Sequence, residues 1–158
     1  MINQPIVQGE DNDYYLRHNY RGEYSVAGSV FLDYQNNNDF SDDFSIVYGH
    51  RMAGHLMFGD IKLFADTNYF KKHAHGKLKV KDRSFNLSVV GFATIDAGSD
   101  LYRLREFQDG KNTEIVERLK SLSINWRGGY DGERLLLLST CNENAKKYRD
   151  VLLVAILE

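Results

Sequence analysis

Leu135-Leu136-Leu137-Leu138-Ser139-Thr140-Cys141 is the stretch whose reading decides the architecture of this 158-residue chain. Gly128-Gly129 and Asp131-Gly132 precede it as turn formers. An unbroken apolar run bounded in this way reads as a strand buried on both faces, as in a barrel wall covered by helices. A second run of the same kind, residues 151–157, ends the chain, and the polar interval 142–148 between the two reads as a loop. If the two strands are antiparallel neighbours, Cys141, ending one, and Arg149, beginning the other, lie near the same edge of the sheet.

The segments around this pair agree with a β-rich chain. Phe44–His50 reads as a strand, and so does 28–34, which Asn36-Asn37-Asn38 ends. Residues 78–81 and 85–95 read as a hairpin around Asp82-Arg83-Ser84. Tyr14-Tyr15-Leu16 reads as the start of a short strand, and 4–12 as a polar segment wrapping the surface. Residues 56–64 read as a short helix. Ile115, Val116, Leu119 and Leu122 share one face at helical spacing, so a helix is expected from Asn112 to Leu122, capped by Asn112 or Thr113. Glu114 and Glu117 early and Arg118 and Lys120 late suit its dipole.

Composition narrows the function. The length fits one domain, 1–158, large enough to bury a core without metals or disulfides. Net charge is -2, and Lys77, Lys79 and Lys81 alternate like a solvated strand face, so there is no nucleic-acid footprint. No stretch approaches the roughly 18 apolar residues of a membrane span. A single cysteine excludes an internal disulfide and a Cys-pair zinc site. His73-Ala74-His75 lacks partners at metal spacing, and Asp33 with Asp42-Asp43 lacks the Gly and terminal Glu of a calcium loop, so no metal site is expected.

Three residues can carry chemistry. Cys141 is a nucleophile if ionised, and a guanidinium such as Arg149 beside it favours thiolate and offers a fork of donors to an oxyanion. His50 closes the strand Ser45-Ile46-Val47-Tyr48-Gly49 and can serve as general acid toward a leaving amine. By themselves these residues leave open an enzyme with a Cys/His/Arg site and a non-catalytic β-barrel binding module with an inert Cys141.

The wording of the motifs goes further. Leu138-Ser139-Thr140-Cys141 with Arg149 resembles the sortase signature, and Tyr48-Gly49-His50 resembles the sortase histidine strand. Gly28-Ser29-Val30-Phe31-Leu32-Asp33-Tyr34, Tyr48-Gly49-His50-Arg51-Met52, Met57-Phe58-Gly59 and the helix before the cysteine strand are similar to class B sortases. The resemblance runs from about Gln8 to Leu157. Leu137 and Ser45 depart from it, standing where the family often has Thr and Asn.

The resemblance implies a mainly β fold with peripheral helices: a closed barrel of about eight strands, with a helix inserted before the cysteine strand. It implies a cysteine transpeptidase that needs no cofactor and cleaves a C-terminal sorting signal between Thr and Gly. Cys141, His50 and Arg149 are catalytic on this reading, and Ser139, Thr140, Asn12 and Leu16 line the substrate groove. The partners implied are a surface-protein or pilin sorting-signal peptide and an amine nucleophile, from a cell-wall precursor or a pilin lysine. The place implied is the outer face of a Gram-positive membrane, held by an N-terminal anchor that these residues do not include.

Overall fold

The leucine run forms the central strand of the sheet. In the computed structural model, which describes residues 2–141 and 147–158 (Cys141 by its backbone alone), β7 (Arg134–Cys141) lies between β3 (Phe44–His50) and β8 (Tyr148–Leu157). It is parallel to β3 and antiparallel to β8. Leu135, Leu136 and Leu137 are buried because successive side chains point to opposite faces and both faces are covered. Leu136 packs on one side with Val47, Phe92, Leu152 and Val154. Leu135 and Leu137 pack on the other with Phe44, Ile46 and Leu153, beneath Ile115 and Leu119 of α2 (Asn112–Leu122). The interval expected to be a loop falls largely on 142–146, outside the described residues.

The sheet has eight strands, in the order β1 (Ile6–Val7), β2 (Val30–Leu32), β3, β7, β8, β5 (Arg83–Asp96), β4 (His75–Val80), with β6 (Ser123–Trp126) also paired to β5. The mainly β class and the peripheral helices are as expected. Closure of the barrel is corrected: among the described residues no ladder joins β4 to β1. The reason is local. β1 offers only two residues for pairing, and an apolar cleft of about 610 Å³, walled by Ile6, Val30, Leu78 and Leu87, separates it from β4. No helix among the described residues is long and apolar enough to cross a membrane.

Elsewhere the sequence expectations divide by how local their signals are. β3 and α2 have the expected bounds, and β4 and β5 form the hairpin, with exposed Lys77 and Lys79 alternating with buried Leu78 and Val80. Tyr14–Leu16 is a 3-10 turn rather than a strand, because Asp11 Oδ1 accepts from the N–H groups of Asp13 (2.9 Å) and Tyr14 (2.8 Å) and curls the chain. Residues 59–65 are 3-10 helix. α1 (Thr67–Lys72), started by Asp66 accepting from the Tyr69 N–H at 2.7 Å, and β6 were not expected. Nor does Asn112 cap α2. Its Nδ2 donates to the carbonyls of Asp43 (2.9 Å) and Glu133 (3.1 Å), tying the helix start to the entries of β3 and β7.

Arg118 of α2 is tied to the turn Asp100–Tyr102. Arg118 donates to Asp100 at 2.6 Å, and that hydrogen bond holds the Asp100 carboxyl below the ordinary carboxylate range. A depressed carboxylate stabilises the fold fully above its unfolded pKa and ceases to do so as pH falls through its folded one. The Tm of the wild type should therefore exceed that of Arg118→Ala at pH 7, with the gap narrowing below about pH 4. Thermal melts across pH 2–7 check this, and a gap independent of pH would count against it. The Arg118 contact with the Phe107 ring, 5.6 Å from guanidinium to centroid, leaves a residual difference at every pH.

Candidate active site

Three strand ends meet at one edge of the sheet. His50 is the last residue of β3, and its register partner is Cys141, the last residue of β7. The β7–β8 ladder ends at Ser139↔Val151, two residues short of Cys141 on β7 and of Arg149, near the start of β8. Adjacent strands lie about 4.8 Å apart. The backbones of His50 and Cys141 thus stand side by side although far apart in sequence, and Arg149 lies on the next strand, β8.

His50 is 7% exposed. Its Nε2 lies 2.7 Å from the Leu16 carbonyl. A carbonyl only accepts, so Nε2 carries the hydrogen, and in the neutral ring Nδ1 is the basic atom. The Leu16 carbonyl is itself held in place. The 3-10 turn carries it, the Ser29 N–H binds the neighbouring Tyr15 carbonyl at 2.9 Å, and Gly28 packs its bare Cα against both carbonyls. Gly28 has φ +59°, and a Cβ there would stand 2.5 Å from the Tyr15 oxygen and 2.6 Å from that of Leu16.

Beside this edge lies a groove of about 250 Å³, lined by Asn12, Leu16, Phe31, Tyr48, Ala97, Tyr102, Ser139, Thr140 and Arg149. It brings together Asn12, Leu16, Ser139, Thr140 and Arg149, all singled out in the sequence. Among the described lining residues Arg149 alone is charged, and it also donates to the Tyr148 carbonyl at 3.0 Å. The Thr140 hydroxyl faces its own sheet, accepting from the Asp150 N–H at 3.1 Å. Asp150 in turn accepts from Thr94 (3.0 Å) and Arg51 (3.5 Å), which fixes the start of β8.

Sequence reasoning did not single out four groove residues, Phe31, Tyr48, Ala97 and Tyr102, of which the two tyrosines bring polar groups. Tyr48 stacks near Phe31 and Tyr102. It stands two positions before His50 on β3 and so shares its face, a period-2 signal that could have found it. Tyr102, whose hydroxyl lies 2.7 Å from that of Ser139, comes from a turn with no motif of its own.

No protein-family model matches the chain. Among curated proteins it is 36% identical to Sortase B of Listeria monocytogenes over 147 residues, 89% of this chain and 58% of that protein. It is 25% identical to Sortase B of Staphylococcus aureus over 145 residues, 90% of this chain and 59% of that protein. The chain thus spans less than two thirds of the length of both. Among solved structures, a Streptococcus pyogenes class B sortase involved in pilus biogenesis superposes with a TM-score of 0.85 at 32% identity, covering 98% of this chain and 84% of that one. Bacillus anthracis sortase B gives 0.83 at 31% identity, covering 99% and 74%. A Staphylococcus aureus sortase B–substrate complex gives 0.88 at 22%, covering 98% and 73%, a likeness of fold.

Proposed function

The chain belongs to the class B sortases, and on that premise we propose that it is a cysteine transpeptidase that cleaves a sorting signal between Thr and Gly and passes the acyl group to an amine of the cell-wall precursor at the outer face of a Gram-positive membrane. One observation carries the reading: His50 ends β3 beside Cys141 at the end of β7, and Arg149, near the start of the adjacent β8, lines the groove that Ser139 and Thr140 of β7 also line.

Each step follows from what these groups can do. Arg149 favours the Cys141 thiolate electrostatically. The thiolate attacks the Thr carbonyl, and the guanidinium donates to the oxyanion that forms. His50 enters this step as imidazolium: it holds the Leu16 carbonyl through Nε2–H, and its second N–H, on Nδ1, gives its proton to the departing Gly amine. A thioacyl enzyme remains. The incoming amine attacks it, the same Nδ1 takes the amine's proton, and the thiolate leaves. Asn12, Leu16, Ser139 and Thr140 hold the peptide upstream of the cleaved bond.

A second reading, polymerisation through a pilin lysine, is favoured by the 32% identity to a class B sortase involved in pilus biogenesis. Mass spectrometry of the protein incubated with a Leu/Asn-Pro-x-Thr-Gly peptide tests the first reading. Thioacyl capture at Cys141 is expected, with cleavage lost in Cys141→Ala and Arg149→Ala, and added amine diverting product from hydrolysis to transfer. An inert thiol and no cleavage across a broad peptide panel would sink the enzyme reading. Water as the sole acceptor would make the chain a hydrolytic peptidase. Isopeptide ladders with pilin substrate would select polymerisation over anchoring.

A further inference from the structure

We propose that Asp33, which does not line the groove, is a positioning residue that presets Asn12 and Tyr48 for the main chain of the sorting peptide, an inference that rests on the peptide-binding reading above. Asp33 directly follows β2 and is 1% exposed. A buried carboxylate ordinarily faces a cation, yet no Lys, Arg or His pairs with this one among the described residues. Its oxygens are spent on three neutral donors: Oδ2 accepts from Asn12 Nδ2 and from the Tyr48 hydroxyl, both at 2.9 Å, and Oδ1 accepts from the Gln35 N–H at 2.9 Å. Two of the three donors are groove-lining side chains from separate parts of the chain.

The chemistry each presents to the groove is then dictated from below. Asn12 gives one Nδ2 hydrogen to Asp33, and its Oδ1 accepts from the Tyr34 N–H at 3.0 Å. Flipping the carboxamide would set oxygen against carboxylate and NH₂ against N–H, so one orientation holds. Its second Nδ2 hydrogen is the donor it can offer. Tyr48 commits its only hydroxyl proton to Asp33, so toward the groove its oxygen acts solely as an acceptor. A fixed donor and a fixed acceptor on one wall match the C=O and N–H groups of an extended peptide. Because the partners are oriented before binding, their ordering entropy is not charged to association.

The test reads binding and turnover separately. In the Cys141→Ala protein, fluorescence anisotropy with a labelled Leu/Asn-Pro-x-Thr-Gly peptide should show Asp33→Asn raising Kd about tenfold, since the amide has one acceptor oxygen where the carboxylate has two, and its NH₂ must face either the Gln35 N–H or the Asn12 and Tyr48 donors. With Cys141 intact, KM should rise by a similar factor while kcat and the rate of iodoacetamide labelling stay within about twofold. In an Asn12→Ala, Tyr48→Phe background, Asp33→Asn should add less than about twofold, because the groups it acts through are gone. Full additivity there, or a Kd change below about threefold, overturns the proposal. If Asp33→Asn does not fold, Tyr48→Phe removes one of its donors without touching the buried carboxylate. A severalfold rise in Kd then supports the role and an unchanged Kd overturns it. Peptide binding without cleavage by the Cys141 protein would refute the transpeptidase reading and leave Asp33 standing, whereas no binding to the parent protein would overturn both.

Discussion

Replacing His50 with alanine is expected to lower kcat/KM for a sorting-signal peptide by about 10³-fold, near 4 kcal/mol of transition-state stabilisation. The size follows from the double duty of one atom. In the proposed mechanism Nε2–H keeps its 2.7 Å bond to the Leu16 carbonyl while Nδ1 donates in acylation and accepts in deacylation, so on that reading both half-reactions lose their proton carrier at once. Alanine also removes a ring that is 7% exposed, so folding must be checked by circular dichroism beside the kinetics. Thiol alkylation of Cys141 separates two sub-cases. If Arg149 alone sustains the thiolate, the alkylation rate survives the substitution while peptide cleavage does not. A folded His50→Ala protein within about tenfold of wild-type kcat/KM would mean another group carries the proton.

The second large effect lies outside the groove. Gly28→Ala is expected to cost about 2–4 kcal/mol of stability and, below its reduced Tm, to impair turnover as well. Part of the cost is backbone strain at φ +59°. The larger part is collision, because the new methyl would stand 2.5 Å and 2.6 Å from the carbonyl oxygens of Tyr15 and Leu16, and backbone cannot swing aside as a side chain can. The Leu16 carbonyl is the acceptor that sets the His50 tautomer, so moving it loosens the imidazole. Gly110→Ala provides the comparison: it too has positive φ (+84°), but a Cβ there meets nothing within 4 Å. Its cost should be strain alone, about 1 kcal/mol, with kcat unchanged. Equal Tm losses in the two variants, or a fully active Gly28→Ala protein, would remove the link between Gly28 and the histidine.

These two residues illustrate what could be read in advance. His50 is visible because it closes the apolar run 44–50, whose pattern needs no knowledge of the rest of the chain. Gly28 is visible as a residue of the strand motif but not as the neighbour of Leu16, since that contact exists only after the turn Tyr14–Leu16 folds against β2. The turn itself carries the β character of two tyrosines and a leucine, which the Asp11 side chain overrides by accepting two backbone N–H bonds.

By itself the sequence determined the elements whose signal is periodic and short in range: β3 from Phe44 to His50, α2 from Asn112 to Leu122, the β4–β5 hairpin, and the doubly buried strand that delivers Cys141. It determined the candidate groups as well, because thiol, imidazole and guanidinium have chemistry independent of their setting. Only the tertiary structure decided that β3, β7 and β8 lie side by side, that Tyr102 reaches Ser139, that no ladder joins β1 to β4 among the described residues, and that the buried Asp33 carboxylate joins Asn12 to Tyr48. Those outcomes are hydrogen bonds and packing between residues tens of positions apart, which the local pattern of a chain does not encode and which form only when the whole sheet assembles.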